Sequence, residues 1–508
     1  MKVLSATQMK QVDALTLQGE GISAIDLMER ASKALFTQLN KDLDLGNTSL
    51  VIFCGPGNNG GDGLALARLL HDAGHQIFVY LLTRHRYSPE NITNQKRLLD
   101  KGIIVEKIDP TTVIEIPSDA LIVDAFFGSG TSRPLSSDWK KFIGYLNSHS
   151  NTRVAIDIPS GLIADAHVDQ HSPVIKADYT YTFQSPKLCL LLPENARYIG
   201  EVVVVDIGLD QLAMKESGTS YYYTIREDII DMIPKFNRFA HKGTFGHAFI
   251  VGGSFGKIGA IALSCKAALK TGCGMVSSYI PACGYAILQS SFPEAMVLTD
   301  EDTNSLSTVP DNFLSYSSIG IGMGMGTDQK AQQALFLLLS KLSEQQNDIP
   351  LMVDADALNI LAIHPEWLKL LPPLSILTPH PKELERLIGP WKNDFEKLQK
   401  ALYFSNTYEV ITIIKGANTA IVFPDGQIHF NSTGNWGMAT AGSGDVLSGM
   451  ISSLLAQGFS PQDTARAGVF LHGLAADLTI RKIHPKSLIA SDLIEHISSA
   501  WDTVAPMR

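Results

Sequence analysis

Between Asn435 and Leu447 the chain reads Asn435-Trp436-Gly437-Met438-Ala439-Thr440-Ala441-Gly442-Ser443-Gly444-Asp445-Val446-Leu447. A glycine-rich turn runs straight into an apolar helix, with one acid at the junction. Gly442 and Gly444 let the backbone turn with its N–H groups exposed and pointing one way. Together with the positive end of the helix dipole, those groups suit phosphate oxygens. Asp445 would sit beside the phosphate, where a carboxylate can take a proton from an attacking hydroxyl. Phosphoryl transfer from a nucleotide needs that arrangement. A bare Gly-x-Gly-Asp is also an ordinary helix cap, with Asp445 as the capping residue. The neighbourhood favours the phosphate reading. Lys415-Gly416-Ala417-Asn418-Thr419 lies between strands expected over 410–414 and 420–423, where a second nucleotide-contacting loop would fall.

A chain of 508 residues has room for two or more domains. Hydrophobic residues make up 45% and charged residues 18%, which supports a large core rather than disorder. Helical spacing covers 7–39. Strands are expected over 50–53, 76–82, 103–105, 120–123, 154–156, 179–183 and 202–206, several alternating with helices. That is the pattern of a mostly parallel, doubly wound sheet. Lys215-Glu216-Ser217-Gly218-Thr219-Ser220 reads as a linker. A second α/β pattern starts at His247, with strands expected over 247–251, 317–321, 351–353, 375–377 and 410–414. The motifs of the two halves differ, so we expect two unlike domains, 1–214 and 222–508.

The net charge of −10, with no long basic run, argues against a nucleic-acid surface. The cysteines, Cys54, Cys189, Cys265, Cys273 and Cys283, form no C-x-x-C pair. They read as reduced, buried thiols rather than a disulfide or zinc framework. No stretch has the form of a signal peptide or the length of a membrane span, so a soluble cytoplasmic protein is expected.

In the N-terminal half, Gly55-Pro56-Gly57-Asn58-Asn59-Gly60-Gly61-Asp62-Gly63 falls between a strand and a helix expected over 64–71. Phosphate-binding loops of doubly wound sheets occupy that place. The stretch is neither the dinucleotide fingerprint nor a P-loop, and its Asn and Asp oxygens suit a cation, a ribose or an amide as well. Asp124 and Asp157 each follow an expected strand. Asn59, Asp124 and Ser160 are therefore expected to converge beyond the strand ends, offering hard oxygen ligands for an alkali or alkaline-earth cation.

This half resembles the NAD(P)H-hydrate epimerase family from Thr7-Gln8 to Asp206-Ile207-Gly208. The matching words are Leu27-Met28-Glu29-Arg30-Ala31, the glycine stretch above, Asp124-Ala125-Phe126-Phe127-Gly128, Asp157-Ile158-Pro159-Ser160-Gly161, and Ala177-Asp178 through Lys187. The resemblance implies that Asn58, Asn59, Gly60, Gly61 and Asp62 hold the substrate with Gly128, Ser129, Gly130, Thr131, Ser132, Arg133 and Pro134. It implies potassium on Asn59, Asp124 and Ser160, and substrate contact by Asp157. Asp157 and Lys187 become candidate acid/base partners. The implied reaction interconverts the two epimers of NADH or NADPH that has added water (NADHX, NADPHX).

The C-terminal half, over about 238–493, resembles the ADP- or ATP-dependent NAD(P)H-hydrate dehydratases, a branch of the ribokinase-like fold. The words are Lys242-Gly243-Thr244-Phe245-Gly246, Gly252-Gly253-Ser254, Gly259-Ala260, Pro293-Glu294-Ala295-Met296, Gly320-Ile321-Gly322-Met323-Gly324, Asp354-Ala355-Asp356-Ala357-Leu358, Thr378-Pro379-His380-Pro381 and the two nucleotide loops. The fold class implied is therefore α/β throughout: a Rossmann-like, doubly wound N-terminal sheet and a ribokinase-like C-terminal domain. By resemblance, Lys415, Gly416, Ala417, Asn418 and Thr419 hold ADP with Asn435, Gly437, Met438, Ala439, Thr440, Ala441, Gly442, Ser443 and Gly444. Ala260, Gly324, Asp445 and the segment around His380 line the hydrate site. His380 fits a substrate contact or a structural hydrogen bond equally well. Magnesium accompanies the nucleotide in this reading, with Asp354 and Asp356 as outer contacts or turn residues. Met323 and Trp436 stand where the family often has Pro, and Lys382 where it has Gly.

Asp445 would deprotonate the ring hydroxyl as it attacks the terminal phosphoryl group, while the N–H groups of 442–444 meet the developing charge. Phosphate then leaves far more readily than hydroxide. The leading reading is a bifunctional metabolite-repair enzyme acting on small molecules, expected from the family to be a homo-oligomer. Two others compete: a ribokinase-like vitamin or sugar kinase, and a chain whose N-terminal half only binds.

Overall fold

The computed structural model describes residues 1–234, 238–344 and 349–505. The chain divides into two compact units, one chiefly Lys2–Tyr221 and the other chiefly Tyr222–Lys392 and Glu396–Arg508.

The first unit is built on a seven-stranded sheet, parallel throughout. Its strands run in the order Val105–Ile108, Ile77–Leu82, Leu50–Cys54, Leu121–Ala125, Arg153–Ile156, Tyr179–Phe183, Glu201–Val205. The chain reverses its direction of travel across the sheet between Leu50–Cys54 and Leu121–Ala125. Ligands of open α/β sheets bind in the crevice beyond that switch point. Strand Leu50–Cys54 is buried on both faces. Leu50, Ile52 and Cys54 join one apolar cluster with helix Ala24–Asp42, and Val51 and Phe53 join another with Trp139 and Phe142. Doubly covered parallel strands read as continuous apolar runs for this reason.

Three local expectations are corrected here. The helix after the first strand begins at Asn58, not near residue 64, so the glycine stretch forms its first turns. Those glycines serve close packing. A Cβ on Gly60 would lie 1.9 Å from the Gly55 carbonyl oxygen, and one on Gly63 would lie 2.6 Å from Ala125 Cβ. Asp124 lies inside strand Leu121–Ala125 rather than after it. Lys215 and Glu216, expected in a linker, end the helix Gln211–Glu216.

The second unit holds a ten-stranded sheet. Its order is Met296–Thr299, Met275–Ile280, His247–Val251, Ser318–Ile321, Leu351–Val353, Ile376–Leu377, Ile411–Ile414, Ala420–Val422, Ile428–Asn431, Tyr221–Thr224. Pairing is parallel up to Ile411–Ile414 and antiparallel across the next two strands. Strand His247–Val251 again alternates between two cores: Ala248 and Ile250 on one side, Phe249 and Val251 on the other. Helix Ser443–Ala456 is buried along nearly its whole length and packs on helix Ile258–Thr271. The two backbones approach at Gly449, where a Cβ would lie 2.1 Å from the Ser264 carbonyl oxygen. The strands Met275–Ile280, Met296–Thr299, Ile428–Asn431 and Tyr221–Thr224 were not legible as such in the sequence. No helix among the described residues is long and apolar enough to cross a membrane. All five cysteines are free, and Cys54 is buried in the core.

Candidate functional site

Two clusters of polar side chains form at the carboxyl ends of the parallel strands, one in each unit. In the first, Asp157 directly follows strand Arg153–Ile156 and takes a left-handed φ of 68°. Such backbone in a non-glycine residue is sparsely populated and concentrates at functional sites. It turns the carboxylate toward Lys187, whose Nζ lies 2.7 Å from Oδ1. The Ser129 N–H donates to Asp157 Oδ2 at 2.9 Å. Lys187 is 2% exposed and also donates to Thr182 Oγ1 and to the Phe183 carbonyl. Burial pushes the Asp157 carboxyl up, but Lys187 and the Ser129 N–H outweigh it and hold it below the usual range.

Asp124 and Ser160 are joined directly. Ser160 donates from Oγ to Asp124 Oδ1 at 2.6 Å and from N to Oδ2 at 2.7 Å. Burial raises the Asp124 carboxyl to about 6 despite those bonds. Asn59 stands in the first turn of helix Asn58–Asp72, and its buried Oδ1 and Nδ2 have no hydrogen-bond partner among the described residues. A Cβ on Gly128 would touch both Asn59 Oδ1 (3.0 Å) and Asp157 Oδ2 (3.1 Å), so these three residues meet. The unpartnered Asn59 Oδ1 is an oxygen open to a cation, whereas both Asp124 oxygens already accept from Ser160. Ser132, Arg133 and Pro134 are exposed on the loop beyond Gly130, and Gly60 and Gly61 face inward.

Two further acids bear on this site. Burial, with Asp157 and Asp13 nearby, pushes the Asp62 carboxyl well above its ordinary value. Asp13, on helix Ala6–Glu20, rises to about 6, chiefly through burial, with Lys187 opposing and Asp157 adding. Sequence reading missed Asp13. Its signal was an acid on the same helix face as the buried Met9, Val12 and Thr16.

In the second unit the glycine turn caps helix Ser443–Ala456. Gly442 is the cap, with φ 85°, so Asp445 is the third residue of the first turn and not the cap. Ser264 Oγ donates to the Asp445 carbonyl at 2.9 Å and to the Ala260 carbonyl at 3.0 Å. Gly324, with φ 62°, lies against Ala260: a Cβ there would be 3.3 Å from the Ala260 Cβ. Ala260, Gly324 and Asp445 are thus drawn to one place. Burial, reinforced by Asp354 and opposed by Lys415, raises the Asp445 carboxyl to about 6.

Lys415 follows strand Ile411–Ile414, and its Nζ lies 2.6 Å from Asp354 Oδ1. Asn418 takes φ 50° in the turn, and Thr419 Oγ1 donates to the Gly416 carbonyl at 2.9 Å. Asn435 donates from Nδ2 to Asp477 at 2.9 Å and accepts the Gly437 N–H at 3.1 Å, which fixes the other loop. Met438 packs its side chain into an apolar cluster, while its backbone N–H donates to the Asn435 carbonyl at 3.1 Å and its carbonyl accepts the Thr440 N–H at 2.8 Å. Ala439, Thr440 and Ala441 complete the turn, and Ser443 Oγ lies 3.4 Å from His472 Nε2. His380 caps helix Pro381–Ile388: its Nδ1 accepts the Lys382 N–H at 3.1 Å and the Glu383 N–H at 3.4 Å. Because Nδ1 accepts from two backbone N–H groups, the neutral ring carries its proton on Nε2; burial, then Lys415, lower the pKa of this imidazole.

Both units have relatives among known proteins. Residues 24–189 match the family model described as YjeF-related protein N-terminus, and 248–499 match the one described as NAD(P)H-hydrate dehydratase. A bifunctional NAD(P)H-hydrate repair enzyme of Moorella thermoacetica is 34% identical over 98% of this chain and 96% of its own length. The Escherichia coli protein of that name is 33% identical over 93% of this chain and 88% of its own. Among solved structures, a ribokinase-like superfamily protein of Enterococcus faecalis superposes with a TM-score of 0.50 at 25% identity, covering 57% of this chain and 99% of that one. With both family models matched and such identity along nearly its whole length, the chain belongs to the family of bifunctional NAD(P)H-hydrate repair enzymes.

Proposed function

We propose that the first unit epimerises hydrated NADH and NADPH at the Asp157–Lys187 site, and that the second dehydrates the S epimer at Asp445 with ADP as phosphoryl donor. AMP and phosphate are the products of the second step. The observation that carries this reading is Asp445 beside a glycine turn, with Ala260 and Gly324 drawn to the same place.

The turn 442–444 and the loop 415–419 hold the ADP phosphates through backbone N–H groups and the Lys415 ammonium. Asp445 takes the proton of the ring hydroxyl as that oxygen attacks the terminal phosphorus. The phosphorylated ring then loses phosphate, and the dihydronicotinamide returns. Magnesium, when bound to the nucleotide, offsets phosphate charge. Because Asp445 must be ionised to act, the raised carboxyl sets the acid limb of the reaction. Phosphate release should fall about tenfold per pH unit below about 6. An unshifted carboxyl would place that limb near 4. Phosphate release measured against pH, with restored NADH counted alongside, tests this. A limb near 4, or a stable phosphorylated product, would defeat it.

In the first unit Lys187 holds the Asp157 carboxyl below its ordinary range while burial pushes the Asp62 carboxyl up, so Asp157 suits the proton acceptor and Asp62 the donor. That pairing suits departure of the ring hydroxyl and its return on the other face. Asn59, Asp124 and Ser160 would hold potassium, which supplies a fixed positive charge among buried oxygens. Epimerisation should therefore be faster in potassium than in lithium chloride of equal strength. Asp124→Asn should lose most of that difference. Equal rates in both salts for the wild type would exclude a potassium site. The five free cysteines fit a reducing, cytoplasmic setting.

A further inference from the structure

We infer that Asp354 is a positioning residue that holds the Lys415 ammonium against the glycine turn, and that it is not a magnesium ligand. The inference rests on the reading of that turn as the phosphoryl-donor site.

Asp354 follows strand Leu351–Val353 and opens helix Ala355–Ile363. An Asp at such a position ordinarily caps its own helix. Here, among the described residues, the carboxylate makes no capping bond. The next residue, Ala355, sits at φ 51°, a left-handed conformation that is costly without glycine. An uncapped helix start and a strained residue are both tolerated at one point, so the surrounding structure directs this carboxylate elsewhere.

Its targets are Lys415 and Ser448. Oδ1 accepts from Lys415 Nζ at 2.6 Å, and Oδ2 accepts from Ser448 Oγ at 2.6 Å. Ser448 lies on the helix that carries Asp445. One carboxylate thus ties the nucleotide-loop lysine to the helix bearing the base. Asp354 is 1% exposed, while the Lys415 side chain keeps 23% of its surface open. A Cβ on Gly444 would lie 3.3 Å from Lys415 Nζ, so the ammonium borders the phosphate turn. A lysine on its four-carbon stem loses much rotamer freedom on binding an anion. Fixing the amine before nucleotide arrives reduces that loss. Magnesium favours hydrated, open carboxylates, and Asp354, buried with a lysine against one oxygen and a serine against the other, suits it badly.

The test uses Asp354→Asn, Lys415→Met and the double variant in the full chain, assayed with hydrated NADH, magnesium and ADP. Each single change should lower the dehydration kcat by about 10- to 100-fold, the usual range for a misplaced group. The double variant should be no worse than Lys415→Met, because Asp354 acts through Lys415. The magnesium concentration for half-maximal rate should stay at the wild-type value in Asp354→Asn. Ser448→Ala removes one anchoring bond and no charge, and serves where Asp354→Asn does not fold. Its smaller loss should also vanish in the Lys415→Met background. Additive losses, or a raised magnesium requirement in Asp354→Asn, would overturn the assignment while leaving the donor site in place. A wild-type chain that restores no NADH with ADP would overturn both.

Discussion

Replacing Asp445 with Asn should reduce ADP-dependent dehydration by on the order of a thousandfold, within the range for loss of a general base. The amide keeps the size of the side chain but cannot accept the hydroxyl proton. The N–H groups of 442–444 and the Lys415 ammonium, proposed to hold the phosphates, are untouched, so the KM for ADP should barely change. A fall in kcat alone marks an interaction made only in the transition state. Burial has raised this carboxyl to about 6, so it is a stronger base than a surface aspartate and still ionised at neutral pH. Epimerisation should continue at the wild-type rate, since Asp157 and Lys187 belong to the other unit. The measurement is steady-state NADH restoration against ADP concentration, with epimer interconversion followed by chromatography. Persistence of dehydration in Asp445→Asn would remove Asp445 from the base role.

Replacing Lys187 with Met should stop epimerisation and weaken the first unit together. Lys187 is the cation paired with Asp157 in a site that Asp13 and Asp62 also face. Its loss leaves Asp157 buried opposite the Ser129 N–H and the Thr182 hydroxyl. Breaking a buried pair from one side typically costs about 3–5 kcal/mol, because the remaining charge is uncompensated. The Asp157 carboxyl should then rise, because burial pushes it up and Lys187 is its largest opposing influence. Epimerisation should fall by about a hundredfold or more once the ionised acceptor is gone. Adding Asp157→Asn in the same chain should restore much of the stability and none of the activity. Urea unfolding of the first unit, read beside epimer interconversion, separates the two effects. Full activity in Lys187→Met would dismiss the pair as purely structural.

The parts of both sites that were legible in the sequence are those carried by contiguous chemistry. Gly442, Gly444 and Asp445 state a glycine turn and an acid in the first turn of a helix within a few residues, and both are present. Strands such as His247–Val251 were legible because doubly covered parallel strands are unbroken apolar runs. The start of helix Asn58–Asp72 was hidden because two Asn and three Gly are poor helix formers. Tertiary packing overrides that propensity: Gly60 and Gly63 allow the helix to lie on the Gly55 backbone and on Ala125. The dual pull on Asp354 was hidden for another reason. Its partners Lys415 and Ser448 are 61 and 94 residues away, and no local pattern records such a contact. Asp13 likewise gains its character only from burial beside Lys187 and Asp157.

One chain should both interconvert the epimers and consume one of them. The direct test gives purified protein a mixture of both NADHX epimers with ADP, magnesium and potassium, and follows dihydronicotinamide absorbance to completion. Conversion of the whole mixture is the expected result, because the first unit replenishes the epimer that the second removes. Conversion that stops when one epimer is exhausted would contradict the claim for the first unit, and no conversion would contradict it for the second.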